Sequence, residues 1–167
     1  SGMALPPAAV AKLREKADLI LVTHSHWDHF DPAETAAASI RSAAPVAGPA
    51  PVIRALRGKI PAENLIELDP PEARAPSKVG VVTKNIRGIS VTALRTFHGK
   101  AHNSYLIDMS GFRIFHDGDN EDTSRIDLPS LGPVDILLFC PWQGSGWVTF
   151  IERLKPRNII LMHLTDE

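Results

Sequence analysis

The 167 residues suffice for one domain with a real core, and the 44% apolar and 22% charged shares are ordinary for a soluble globular protein. Eighteen basic residues against nineteen acidic ones leave a formal charge of -1, which gives nucleic acid no general electrostatic hold and leaves no charged tail. Cys140 is the only cysteine, so no internal disulfide forms. That suits a reducing cytoplasm, the expected location, and no stretch approaches the length of a membrane-spanning helix.

The opening Ser1-Gly2-Met3 reads as an expression remnant ahead of a start methionine. No basic region followed by an apolar run reads as a signal peptide, and one already removed would leave no trace. Residues 8–17 are good helix formers and predict a short helix. Leu19 to Val22 predicts a buried strand, and Thr23 to Phe30 a polar loop dense in histidine. Asp31-Pro32 reads as an N-cap with proline at the first helical position, opening a helix over 32–43. Three prolines make 45–51 a loop or edge. Val52 to Arg57 predicts a helix, and Ile60 to Leu68 a turn and strand. The prolines of 69–77 predict a loop.

From Val79 the pattern is mostly strand: 79–83, 89–96, 104–109 and 112–116, with Ser110-Gly111 as a hairpin turn. Asp135 to Phe139 predicts a buried strand, Gly144-Ser145-Gly146 a turn, 147–155 a helix, and Asn158 to Met162 a last buried strand ending at His163. No repeat or low-complexity segment interrupts the chain. The reading is mixed α/β, with buried strands ending in loops that carry His or Asp, where such folds place chemistry.

The seven histidines are His24, His26, His29, His98, His102, His116 and His163. Three of them, with Asp28, lie within six residues just after the strand 19–22. A strand followed by a tight loop holds several donors at fixed geometry, and neutral imidazoles with a carboxylate suit zinc, manganese or iron. His24 and His26 can face one metal while Asp28 and His29 diverge toward a second. A lone histidine would read as a loop residue; this density reads as a metal site.

The segment LILVTHSHWDHF resembles the metallo-β-lactamase fold superfamily, most closely its lactonase-like and phospholipase-like hydrolases. The resemblance implies an α/β fold of the four-layer αββα kind, here short of the usual N-terminal strands, as a single domain over 1–167. It also implies three later ligands, each after a strand. His98 fits the first, in Thr96-Phe97-His98-Gly99-Lys100-Ala101-His102, with His102 as the rival. Asp119 of Gly118-Asp119 fits the second, with Asp117 as the lesser alternative. His163 at the end of IILMHL fits the third. The implied site places His24, His26 and His98 on one metal, Asp28, His29 and His163 on another, and Asp119 between them. Zinc is the expected metal. Di-iron members tend to carry a carboxylate where His26 stands, so His26 favours hydrolysis over redox chemistry.

The function implied is a binuclear hydrolase. Two metals sharing a water lower its pKa from ~15.7 toward ~7, giving a hydroxide aimed at an ester, lactone or phosphodiester, with Asp28 and Asp119 as the catalytic carboxylates. His102, His116 and Asp117 are candidates for contacting substrate or steadying the ligands. Trp27, Trp142 and Trp147 read as pocket-mouth or core aromatics, and Cys140 as packing. The alternatives are a metal-binding module with impaired catalysis and a nucleic-acid processing hydrolase of the same fold. The expected partner is a small-molecule substrate. About twenty residues precede the histidine loop and four follow His163, where the resemblance implies more strands and a closing helix. A form this short would expose a sheet edge, so a homo-oligomer is expected.

Overall fold

The computed structural model describes residues 7–72, 79–99, 101–141, 144 and 146–164. Two compact units compose it, one reaching Leu68 and the other running from Asp69 to Leu164. Among the described residues no helix is long and apolar enough to cross a membrane.

The first unit opens with α1 (Pro7–Lys16). Its sheet is three-stranded and parallel, in the order β1 (Ile20–Leu21), β2 (Val46–Gly48), β3 (Leu65–Glu67). Between β1 and β2 lies α2 (Pro32–Ser42), where the sequence expects it. Asp31 caps this helix, its Oδ1 accepting the N–H groups of Ala33 at 2.8 Å and Glu34 at 3.0 Å. That satisfies two donors which the first turn leaves without helical acceptors. The α2 chain leaves through Ala43 in the left-handed region. Then α3 (Ala50–Leu56) packs Val52 and Leu56 into a core with Val22, Phe30, Ala36, Val46 and Ile60.

The segment 45–51, expected as loop or edge, instead holds the fully buried central strand of this sheet. The prolines bracket the strand rather than interrupt it. Pro45 and Pro49 lie outside Val46–Gly48, so every ladder donor is intact. The Pro45 carbonyl even accepts from Ile20 N–H at 3.0 Å. Gly48 sits in close packing: a Cβ there would lie 3.1 Å from Val52 Cγ1 and 3.2 Å from the Val22 carbonyl oxygen, so these neighbours would have to give by a few tenths of an ångström.

The second unit is a six-stranded sheet in chain order, β4 (Val81–Ile86), β5 (Ile89–Thr96), β6 (His102–Met109), β7 (Phe112–His116), β8 (Ile136–Phe139) and β9 (Asn158–Leu161). The first four strands form an antiparallel meander, and β8 and β9 add in parallel. Arg87-Gly88 and Ser110-Gly111 make the tight turns, with positive φ at both residues of each pair, the geometry that matches the twist of a hairpin. After β7 come a 3-10 turn (Thr123–Arg125) and α4 (Leu128–Leu131); α5 (Trp147–Leu154) links β8 to β9. One face of the sheet buries Leu94, Leu106, Phe115, Leu137 and Phe139 with Ile126, Leu131, Phe150 and Leu154.

Three expectations for this unit change. The strand expected over 79–83 starts at Val81 and runs to Ile86. The strand expected from Ser104 starts at His102, so that histidine belongs to β6 and not to the preceding loop. The last strand, read as buried from its apolar run, exposes Ile159, Ile160 and Leu161 by 43%, 50% and 50%. Among the described residues it pairs only with β8, at the edge of the sheet, and an apolar run alone does not separate an edge strand from an interior one. Part of the loop 69–77, Trp142 and Ser145 lie outside the described residues.

Candidate metal centre

In the first unit, Val22 and Phe30 are both buried and pin the two ends of the histidine loop in the core. Between them the chain makes one turn: the N–H groups of His29 and Phe30 both donate to the His26 carbonyl, at 3.1 and 2.9 Å. This turn gathers the rings. His24 is buried, with centroids 4.5 Å from His26 and 4.4 Å from His29. Like-charged imidazolium rings at that spacing would repel, whereas neutral imidazole is the form that ligates a metal. The Thr23 hydroxyl engages His24 Nδ1 at 3.0 Å, so Nε2 is the nitrogen His24 would give to a metal. Asp28 Oδ2 lies 3.5 Å from His29 Nε2. Trp27, between two of these donors, is 90% exposed.

In the second unit, the loop after β5 and the loop after β7 are tied together. Phe97 N–H donates to Asn120 Oδ1 at 3.2 Å, and Glu121 N–H donates to the Phe97 carbonyl at 2.7 Å. Arg125, paired with Asp122, lies 4.2 Å over the Phe97 ring. These ties bring His98 to Asp119, with Nε2 3.7 Å from Oδ2. His163, just beyond β9, approaches the same oxygen to 3.5 Å through its Nε2. Asp119 is 2% exposed, so one carboxylate oxygen lies between two imidazoles in a nearly water-free position.

His102 behaves differently from His98. Its Nε2 accepts the Asp119 backbone N–H at 3.0 Å. Nδ1 therefore carries the ring proton and donates it to Thr96 Oγ1 at 2.8 Å. Thr96 in turn donates to Ser104 Oγ at 2.8 Å, and Ser104 donates to the Asp117 carbonyl at 2.7 Å. This chain runs in one direction, keeps His102 neutral, and holds the 117–119 turn at both ends. His116, a candidate for steadying the ligands, accepts the Gly118 N–H on its Nδ1 at 3.0 Å. Asp117 is fully enclosed. Burial, against the hydrogen bonds of Asn120 and Ser104 and with a smaller push from the nearby Asp119, raises its carboxyl to about 7.

Sequence reasoning did not single out Thr96, Ser104, Asn120 or Glu121. A signal existed for Ser104: His102 and Ser104 are two apart on one strand and share a face. Cys140 is buried and Trp147 packs 5.9 Å from Phe139, so both belong to packing.

Clusters of histidine and aspartate at strand ends, on a mixed α/β scaffold with two sheets, define a metallo-β-lactamase-fold protein. Residues 2–164 match the family model described as the beta-lactamase superfamily domain, and the chain belongs to that family. It is 28% identical over 174 residues to a UPF0173 metal-dependent hydrolase of Thermococcus onnurineus, covering 94% of this chain and 71% of that protein. Among solved structures, the metallo-beta-lactamase fold protein YhfI of Bacillus subtilis matches with a TM-score of 0.65 at 16% identity, covering 93% of this chain and 68% of YhfI. CmlA, a diiron beta-hydroxylase of Streptomyces venezuelae, matches with a TM-score of 0.64 at 17% identity, covering 92% of this chain and 37% of CmlA.

Proposed function

We propose that this protein is a metal-dependent hydrolase acting on a small ester, lactone or phosphodiester. The observation that carries this reading is the placement of Asp119 Oδ2 between His98 Nε2 and His163 Nε2. Candidate His and Asp metal ligands occur in both units. The reading assigns His24, His26 and His98 to one divalent metal, Asp28, His29 and His163 to a second, and Asp119 to both. Five imidazoles and two carboxylates fit zinc first, then manganese or iron. The Thr23 and Glu121 contacts support the fit, because ligand imidazoles characteristically use their other nitrogen for an outer hydrogen bond. The Thermococcus relative's description as a metal-dependent hydrolase points the same way.

When bound, such a metal pair supplies a water of lowered pKa and polarises the substrate oxygen. The chain's own part is geometric and protic. Asp119, buried and held by its backbone on His102, would orient the attacking water and take its proton at Oδ1, the oxygen that does not lie between His98 and His163. Asp28 lies at a more exposed position beside His29, and it would pass a proton taken up from solvent to the leaving oxygen as the bond to carbon or phosphorus breaks. Exclusion of water around Asp119 strengthens both effects.

The test is elemental mass spectrometry of the protein as purified, wild type against Asp119→Ala. About two zinc ions per chain, falling in the variant, is the expected result, followed by turnover on one member of an ester, lactone and phosphodiester panel. No transition metal after zinc soaking overturns the reading. Full zinc occupancy with no turnover on any panel member would instead leave a metal-binding module of this fold.

A further inference from the structure

Glu121 is a carboxylate in direct contact with a proposed ligand, and the metal assignment does not use it. Its Oε1 lies 2.8 Å from His98 Nδ1. Its backbone N–H donates to the carbonyl of Phe97, the residue just before that histidine. Asn120 receives the Phe97 N–H. Residues 97–98 are therefore gripped from residues 120–121 through main chain and side chain together. The grip is backed from behind by Gly144. A Cβ on Gly144 would lie 2.7 Å from the Glu121 carbonyl carbon and 2.8 Å from the Asn120 oxygen. With φ at +91° as well, only glycine lets this segment press on the 120–121 peptide.

We propose that Glu121 is the positioning residue of His98: it holds the imidazole as the Nδ1–H tautomer and turns Nε2 toward Asp119. The proposal rests on the metal reading above for its purpose, though not for its geometry. A carboxylate accepting from Nδ1–H fixes the ring plane, which an unsupported side chain must otherwise lose rotamer entropy to adopt. It also raises the basicity of the opposite nitrogen, making it a better metal donor. The arrangement divides the two rival histidines by their outer partners. His98 leans on a carboxylate and presents Nε2 to Asp119 Oδ2, whereas His102 spends Nε2 on a backbone N–H.

The experiment compares wild type, Glu121→Ala and Glu121→Gln by zinc competition against a chromophoric chelator and by nitrogen-15 NMR of the zinc-free protein. The His98 resonance is identified by its loss in His98→Asn. Wild-type His98 is expected as the Nδ1–H tautomer, and Glu121→Ala is expected to lose that preference. Zinc affinity in Glu121→Ala should fall about 10–100-fold, while Glu121→Gln, whose amide oxygen still accepts, should fall less. A merely structural role would lower the melting temperature of both variants and leave the tautomer of the folded protein alone. Wild-type zinc affinity and an unchanged His98 spectrum in Glu121→Ala overturn the proposal. If wild type itself binds no zinc, the metal reading fails. The zinc-free spectrum then still decides the pairing, and an Nε2–H wild-type His98 overturns it.

Discussion

The backbone N–H of Asp119 donates to Nε2 of His102 at 3.0 Å, so the carboxylate proposed to serve two metals hangs by its main chain on a histidine to which the proposal gives no metal. His102 is 1% exposed and stands at the start of β6. Replacing it by alanine removes the acceptor of the buried Asp119 N–H and one of the two hydrogen-bond partners of the Thr96 hydroxyl. Each such loss costs roughly 1–3 kcal/mol, so His102→Ala should lower unfolding free energy by that order in a urea titration. Zinc affinity should fall with it. A variant as stable as wild type would show that the chain from Asp119 to Asp117 carries no weight.

Asp119 itself separates metal chemistry from folding. Asp119→Asn keeps the shape of the side chain and its backbone bond to His102. Zinc content should drop, and kcat on any substrate found should fall on the order of 10²–10⁴-fold, the range of a lost positioned proton acceptor. Steady-state kinetics with matched elemental analysis checks both.

Gly144 should resist substitution. Gly144→Ala demands a positive φ from an L-residue and forces a Cβ against the Asn120-Glu121 peptide. Strain of this kind costs about 1–3 kcal/mol, read as a shift of the urea midpoint. The His98 tautomer signal should change with it, because the displaced peptide carries Glu121.

Trp27 should behave in the opposite way. With 90% of its surface exposed, Trp27→Ala removes no packing, and stability should stay within about ±0.5 kcal/mol. Its place between His26 and Asp28 puts the effect on KM rather than kcat. A large loss of stability on chemical denaturation would contradict the exposed position.

Acid stability should report on Asp122. Burial works against its ionised form, but hydrogen bonds from Ser124 and Arg125 and the Arg125 charge hold its carboxyl below the usual range. The unfolded state then binds the proton first. The contribution is present above the ordinary aspartate value of about 3.9 and is lost as pH falls through the folded value. Asp122→Asn should therefore flatten the fall in stability below about pH 4. Urea midpoints across that range test the sign.

Much of this is legible in the amino-acid sequence. The sequence alone marked the histidine loop between Val22 and Phe30, the Asp31 cap with Pro32 behind it, and the Ser110-Gly111 hairpin. Each of these is a local matter. A cap needs a side chain within three residues of its donors, a tight hairpin needs positive φ at adjacent positions, and four donors within six residues are close whatever follows. The order of apolar residues likewise points to the mixed α/β class, because their period is written along the chain.

Tertiary structure decided what depends on register. His98 and His102 look alike in sequence, each in the stretch that follows β5. The antiparallel ladder sets Thr96 opposite His102, which brings a hydroxyl to Nδ1 of one ring. The tie between residues 97–98 and 120–121 gives the other ring a carboxylate more than twenty residues away. The same holds for β2, whose central place depends on pairing with both β1 and β3, and for β9, whose apolar run lies at an edge. The identity of donors is a property of the sequence. Which nitrogen of which ring faces the site is a property of partners distant in the chain, and only the folded ladder brings those partners within hydrogen-bond reach.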